Sequence, residues 1–172
     1  GSETIGGDGF ATLRLRLLTP AGAGPLMLKI PHQGTAYEMY ADGRLIAKSG
    51  KVGTSRDSMT PLYVPRVSDS FSGEGSVDLV LRISNFHHRL GGPWGPIFIG
   101  KPDAIRCMDK KSTAMDLFLF GSLFIMALYH IGLFAVRKKD VSPLYFSLFC
   151  VLVAGRILLT GEKIFTQAFP EI

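Results

Sequence analysis

Residues 115–136 read MDLFLFGSLFIMALYHIGLFAV, with Asp116 at one edge and His130 toward the other as the strongly polar side chains. At ~1.5 Å per helical residue this stretch covers roughly 30 Å, the hydrocarbon thickness of a bilayer. A helix of a water-soluble core would normally show a polar face over so many turns. A membrane span is therefore expected at about 115–136. Arg137, Lys138, Lys139 and Asp140 stop the run, and Ser142-Pro143 restarts a second apolar helix, LYFSLFCVLVAGRILLT, at about 144–160. The competing reading, a two-helix hairpin inside a soluble core, is disfavoured by the length of the first run.

Working outward, three basic residues in a tight connection place loop 137–140 in the cytoplasm and residues 1–111 outside it. Lys110 and Lys111 flank the other end of the span, but a long folded domain translocates largely regardless of such charges. In the second span Arg156 needs a partner or a route to water, since a mid-helix guanidinium is unfavourable by ~2.5–3.5 kcal/mol on insertion scales. Asp116 and Glu162 are the candidate counter-charges, and snorkelling to the outer interface is the alternative. His130 is expected to pack between helices rather than to relay protons. Cys107 and Cys150 lie at different depths, so they should not pair, and neither has the spacing of a metal ligand. A hairpin that returns to the outer side suggests that further spans follow.

The chain has 172 residues, 47% hydrophobic and 19% charged, with 12 Phe, and a mean hydropathy of +0.25. It is too apolar to be disordered and unusually apolar for a soluble domain. A net charge of +5 comes from Lys and Arg scattered along the chain, so no nucleic-acid footprint forms. Residues 1–9 are Gly-rich and lack the apolar core of a signal peptide.

Before residue 103 the pattern changes. Most of the 20 Gly and 10 Pro lie there, which favours short strands and tight turns. Residues 11–18, ATLRLRLL, alternate, with Leu13, Leu15 and Leu17 on one face and Arg14 and Arg16 on the other, as a half-buried strand does. Residues 77–84, VDLVLRIS, repeat the pattern with Val77, Leu79, Leu81 and Ile83. Shorter candidates are LMLKI, AYEMYA, RLIAK, PLYVPRV and PIFIG. Asp42-Gly43 between YEMYA and RLIAK predicts a two-residue type I′ hairpin, and Ser49-Gly50 repeats the device. The expected fold is an all-β sandwich of jelly-roll type, like a carbohydrate-binding module, followed by an α-helical transmembrane hairpin.

The stretch ISNFHHRLGGPWGPIFIG, residues 83–100, follows a strand and gathers Asn85, Phe86, His87, His88, Arg89 and Trp94 in one loop. Loops at the end of a rigid sandwich commonly hold ligands. Trp94 offers an apolar face for a sugar ring or another flat ligand, although a lone Trp is also good core material. Asn85, His87, His88, Arg89 and Trp94 are the candidate ligand-binding residues, with Tyr40 added from the neighbouring strand set. No metal site is expected, because adjacent histidines in an extended strand point to opposite faces and no carboxylate or Cys completes a set. Nucleophile elbow, H-E-x-x-H, phosphate loop and a paired-carboxylate spacing are all absent, so no catalytic residue and no cofactor is expected.

YEMYADGRLIAKSGKVGTS (37–55), LYVPRV (62–67), LRISNFHHRLGG (81–92) and the spans carrying MALYHIGLF and LYFSLFCVLVAGRILLTGE resemble bacterial seven-transmembrane receptors with diverse intracellular signalling modules. The resemblance runs from about residue 10 to residue 172, with Asp42 where the family usually carries Asn. It implies an extracytoplasmic sandwich sensor (1–111) joined to the first two spans (112–172) in the bacterial inner membrane. Any enzymatic output would lie in a cytoplasmic module outside this fragment. The implied partners are the lipid bilayer, a small ligand such as a carbohydrate, and a second copy in a homodimer, with no nucleic acid. The alternative is a structural, dimerising or protein-docking module without a small-molecule ligand.

Overall fold

The computed structural model describes residues 7–160. The chain divides into two compact units, Gly1–Asp109 and Lys110–Ile172.

The first unit is built on antiparallel strands. β1 (Gly9–Leu18), β2 (Pro25–Ile30), β3 (Ala36–Ala41), β4 (Arg44–Ser49), β5 (Arg66–Val67), β6 (Phe71–Ser72), β7 (Ser76–Asn85) and β8 (Phe98–Gly100) follow in chain order. One sheet has the order β1-β7-β3-β4; in the other β2 pairs with β5 and β6, and also with β8. Leu28 and Ile30 from β2 and Phe71 from β6 meet Tyr37, Met39, Ala41, Ile46, Val77, Leu79, Leu81 and Ile83 of the first sheet in one buried cluster. Side chains from both sheets fill this core, so the unit is a β-sandwich, as expected. Each fully buried aliphatic side chain contributes about 1.5–3 kcal/mol.

The sequence pattern accounts for most of these elements. In β7, Val77, Leu79, Leu81 and Ile83 are all buried, and the residues between them lie on the other face. Asp42 and Gly43 both take positive φ, 48° and 80°, the requirement of a type I′ turn. Gly50 also has positive φ, 69°, but it opens the loop that returns at the Lys51–Thr60 bridge instead of closing a second hairpin.

Two expectations need correction. PLYVPRV is a strand only at Arg66–Val67, because Pro61 and Pro65 have no N–H to give to a ladder. β1 pairs with β7 along its whole length, yet Leu13 and Leu15 are 45% and 61% exposed rather than half-buried. β1 is the edge of its sheet, and β8 in the opposite sheet has only three residues with which to face it. On its outer face the Arg14 guanidinium donates to Asp78 at 2.7 Å, and this hydrogen bond holds the Asp78 carboxyl below the usual carboxylate range. Tyr37, completely buried, has its phenol pushed well above the usual value by burial.

β2 is buried on both faces. Leu28 and Ile30 point into the core, whereas Met27 and Lys29 alternate onto the opposite face. There the Lys29 ammonium lies 3.4 Å from the Asp109 carboxylate, and Ile105, 2% exposed, approaches the strand pair at Gly100. Asp109 and Ile105 belong to α1 (Pro102–Val136), which starts two residues after β8 and well before the apolar run begins. Pro102 suits a first helical turn, where its missing N–H is no loss, and Asp103 complements the helix dipole.

In the second unit, the rest of α1 and α2 (Ser142–Thr160) are each long and apolar enough to cross a membrane, with mean hydropathies of 2.0 and 1.8 over their most apolar windows. Those windows are almost wholly exposed, unlike the core helices of a soluble protein. Small side chains are the buried ones on these helices: Ser147, Cys150 and Ala154 on α2 and Ala127 on α1. The His130 ring packs 4.4 Å from that of Phe146. In the connecting loop the Asp140 carboxylate accepts from the Ser142 N–H at 3.0 Å, capping α2, and this bond lowers its pKa.

Candidate functional site

Three loops converge at one end of the sandwich: residues 31–35 after β2, 61–64 before β5, and 86–97 after β7. Backbone hydrogen bonds join them. Gly34 and Gly92 exchange N–H···O bonds of 3.2 and 3.1 Å, and the Leu62 N–H donates to Thr35 O at 3.1 Å.

Asn85 organises the third loop. It is 2% exposed; its Nδ2 donates to Gly7 O at 2.7 Å and to His88 O at 2.5 Å. Its Oδ1 accepts from the Thr35 hydroxyl and from the His88 N–H, both at 3.1 Å. Asn85 is thus a structural residue, with its polar atoms committed to the loop. Arg56 ties the same turn from outside, donating to Phe86 O from Nε and Nη2 at 2.9 and 2.7 Å.

What the loops bring together is a set of rings. The Trp94 indole lies 4.9 Å from the His88 ring, 5.4 Å from Tyr63 and 6.4 Å from His32, and His32 and Tyr63 are 4.6 Å apart. Trp94 is 37% exposed and is therefore no core residue. Its backbone N–H donates to the Oε1 of Gln33 at 2.9 Å, and Gln33 is itself buried. Gly34 leaves room for the indole: a Cβ there would stand 3.0 Å from its ring. Partial burial raises the pKa of Tyr63. Beside the rings, Gly34 and Gly92 also line a cavity of about 190 Å³ with Phe10, Ser84 and Asn85.

The other candidates fall in different places. His87 and Arg89 are exposed on the turn. Tyr40 lies on the outer face of β3, where its hydroxyl donates to Glu38 at 2.8 Å, outside the ring cluster. Arg156 is exposed on α2, and its guanidinium forms no ion pair among the described residues. Asp116 is partly buried on α1, and Glu162 lies outside the described residues. Among the described residues, no three His, Cys, Asp or Glu side chains come together as metal ligands would. His32, Gln33 and Tyr63 were not anticipated from the sequence. They are remote in the chain from Trp94, and long-range bonds draw them in: the Gly34–Gly92 pairing for His32 and Gln33, and the Leu62–Thr35 bond for Tyr63.

Comparison with known proteins bears on the helical part. Residues 112–172 match the family described as 7TM diverse intracellular signalling. The helical unit is similar to that family. That similarity agrees with the two exposed helices long and apolar enough to cross a membrane. No curated protein matches the chain. Among solved structures, a putative beta-galactosidase from Bacteroides fragilis is similar at 13% identity and a TM-score of 0.42, over 54% of this chain and 15% of that one. A GH2 beta-galacturonidase from Eisenbergiella tayi bound to galacturonate is similar at 12% identity and a TM-score of 0.40, over 54% and 17%. The chain thus spans less than a fifth of either structure's length, and at these scores the likeness says nothing of function.

Proposed function

We propose that the sandwich is the extracytoplasmic sensor of a bacterial inner-membrane receptor, and that it takes a small ligand with a flat apolar face, such as a sugar ring, on Trp94. Loop 137–140, with Arg137, Lys138 and Lys139, faces the cytoplasm in this reading, and catalysis is left to other parts of the signalling system. The observation that carries it is where the ring cluster is attached. His32 and Gln33 directly follow β2, the strand that bears Lys29, and Trp94 lies four residues before β8, which runs into α1.

A ligand wedged among Trp94, His88 and His32 would favour one arrangement of the 31–35 and 86–97 loops. It would thereby bias β2 and β8, and with them the Lys29–Asp109 contact on α1. Such a ligand can shift the receptor only by its differential affinity for the two arrangements.

The test uses the chain in detergent micelles or nanodiscs and a panel of mono- and oligosaccharides. A saturable change in Trp94 emission together with a rise in Tm is expected from a binder, since a ligand at 100 times its Kd adds about 2.7 kcal/mol to apparent stability. His88→Ala should weaken that response at least about tenfold if the imidazole covers one ring face, a loss of roughly 1.4 kcal/mol. A folded chain that gives neither signal across the panel would shift the reading to a docking or dimerising module.

A further inference from the structure

The edge of the first sheet presents an unfinished surface. β1 pairs with β7 on one side, and among the described residues no strand pairs with its other edge. Its inward-directed Leu13, Leu15 and Leu17 line an apolar cavity of about 190 Å³ with Leu28, Ile97 and Ile99. Leu15 is 61% exposed and Ile99 43%. A long, unpaired strand edge with an apolar face is a template for another strand, and an apolar opening of this kind marks an interaction site.

We propose that the occupant is β1 of a second copy, paired antiparallel about a two-fold axis through Thr12. The charge pattern of the strand selects this partner and this register. Antiparallel pairing keeps odd-numbered residues on one face and even-numbered ones on the other, and registers differ in which residues oppose each other. An axis through Arg14 sets the two Arg14 side chains opposite one another, and an axis through Leu15 sets Arg14 opposite Arg16. Both are like-charge pairs and unfavourable. An axis through Thr12 sets Asp8 opposite the partner's Arg16, twice by symmetry, and Phe10 opposite the partner's Arg14.

Asp8 and Phe10 are exposed. Arg16 contacts Ser76 at 3.4 Å, leaving most of its donors for a carboxylate. Ala11 and Leu13 then face one another across the axis and lie on the face that closes the apolar cavity. An isologous contact of this kind is the commonest way for identical chains to pair. It goes beyond the sensor reading and does not depend on it.

The experiment is oxidative cross-linking of the full chain in lipid vesicles, in a Cys107→Ser, Cys150→Ser background. Only at the axis does a residue oppose its own copy, with Cα atoms within the ~7 Å limit of a disulfide. Thr12→Cys is expected to give at least about tenfold more disulfide dimer than Arg14→Cys, whose two copies stand roughly 13 Å apart in this register. Asp8→Lys should suppress cross-linking, and Asp8→Lys combined with Arg16→Asp should restore it. Native Trp94 emission in every variant confirms the fold. Equal cross-linking at both positions, none at Thr12→Cys, or slow β1 amide exchange in a monomer each overturns the proposal. The last result would mean that a different segment or protein covers the edge.

Discussion

Replacing Asn85 by alanine should destabilise the sandwich by about 3 kcal/mol, the largest effect expected from a single polar side chain here. The amide sits where β7 ends, and both its ends are used: two backbone carbonyls accept from Nδ2, while the Thr35 hydroxyl and the His88 N–H donate to Oδ1. Truncation leaves these partners facing one another in a place nearly closed to water, and each orphaned group costs about 1–3 kcal/mol, partly relieved by relaxation of the loop. Asn85→Asp should be no milder at neutral pH, because a carboxylate oxygen would then face the carbonyls of Gly7 and His88. Urea unfolding of the chain in micelles, followed by the emission of Trp94, measures both variants. A loss below about 1 kcal/mol would show that the turn holds itself together without the amide.

A second large effect should come from Asp109, with a marked asymmetry. The Lys29 side chain is only 8% exposed, and that of Asp109 is 40% exposed. Asp109→Ala leaves an ammonium in a poorly solvated place, and a loss of about 2 kcal/mol is expected once the partial exposure of the pair is allowed for. Lys29→Met leaves the carboxylate able to turn toward water and puts an apolar chain of similar length against Ile105, so it should cost less than about 1 kcal/mol. The double variant should recover most of the Asp109→Ala loss, giving a coupling of opposite sign to the single effects. Thermal unfolding of the four chains decides it. Equal losses for the two single variants would mean that packing around Ile105, rather than charge, holds the start of α1.

Much of this architecture is legible in the sequence where one physical rule acts alone. Alternation in β7 and the paired positive φ of Asp42 and Gly43 are local properties, and both are found as read. The apolar run of α1 is equally plain, but hydropathy marks what lies in lipid and not where the helix begins. The turns from Pro102 are mixed in polarity, so no hydropathy window finds them, and the Lys29–Asp109 ion pair ties them to β2. β1 shows the converse: its alternation correctly gives a strand, while burial depends on what lies opposite, which no window of residues reveals. The same holds for the ring cluster. His88 and Trp94 stand out as neighbours in one unusual loop, whereas His32 and Tyr63 join them only through long-range backbone pairing.

The two thiols differ in a useful way. Cys150 is buried on α2, while Cys107 is exposed on the part of α1 that precedes the apolar run. The native chain thus carries its own marker of sidedness. A membrane-impermeant maleimide added to intact cells would label Cys107 only from the compartment that holds the sandwich, and Cys150 would stay silent until the hairpin came apart.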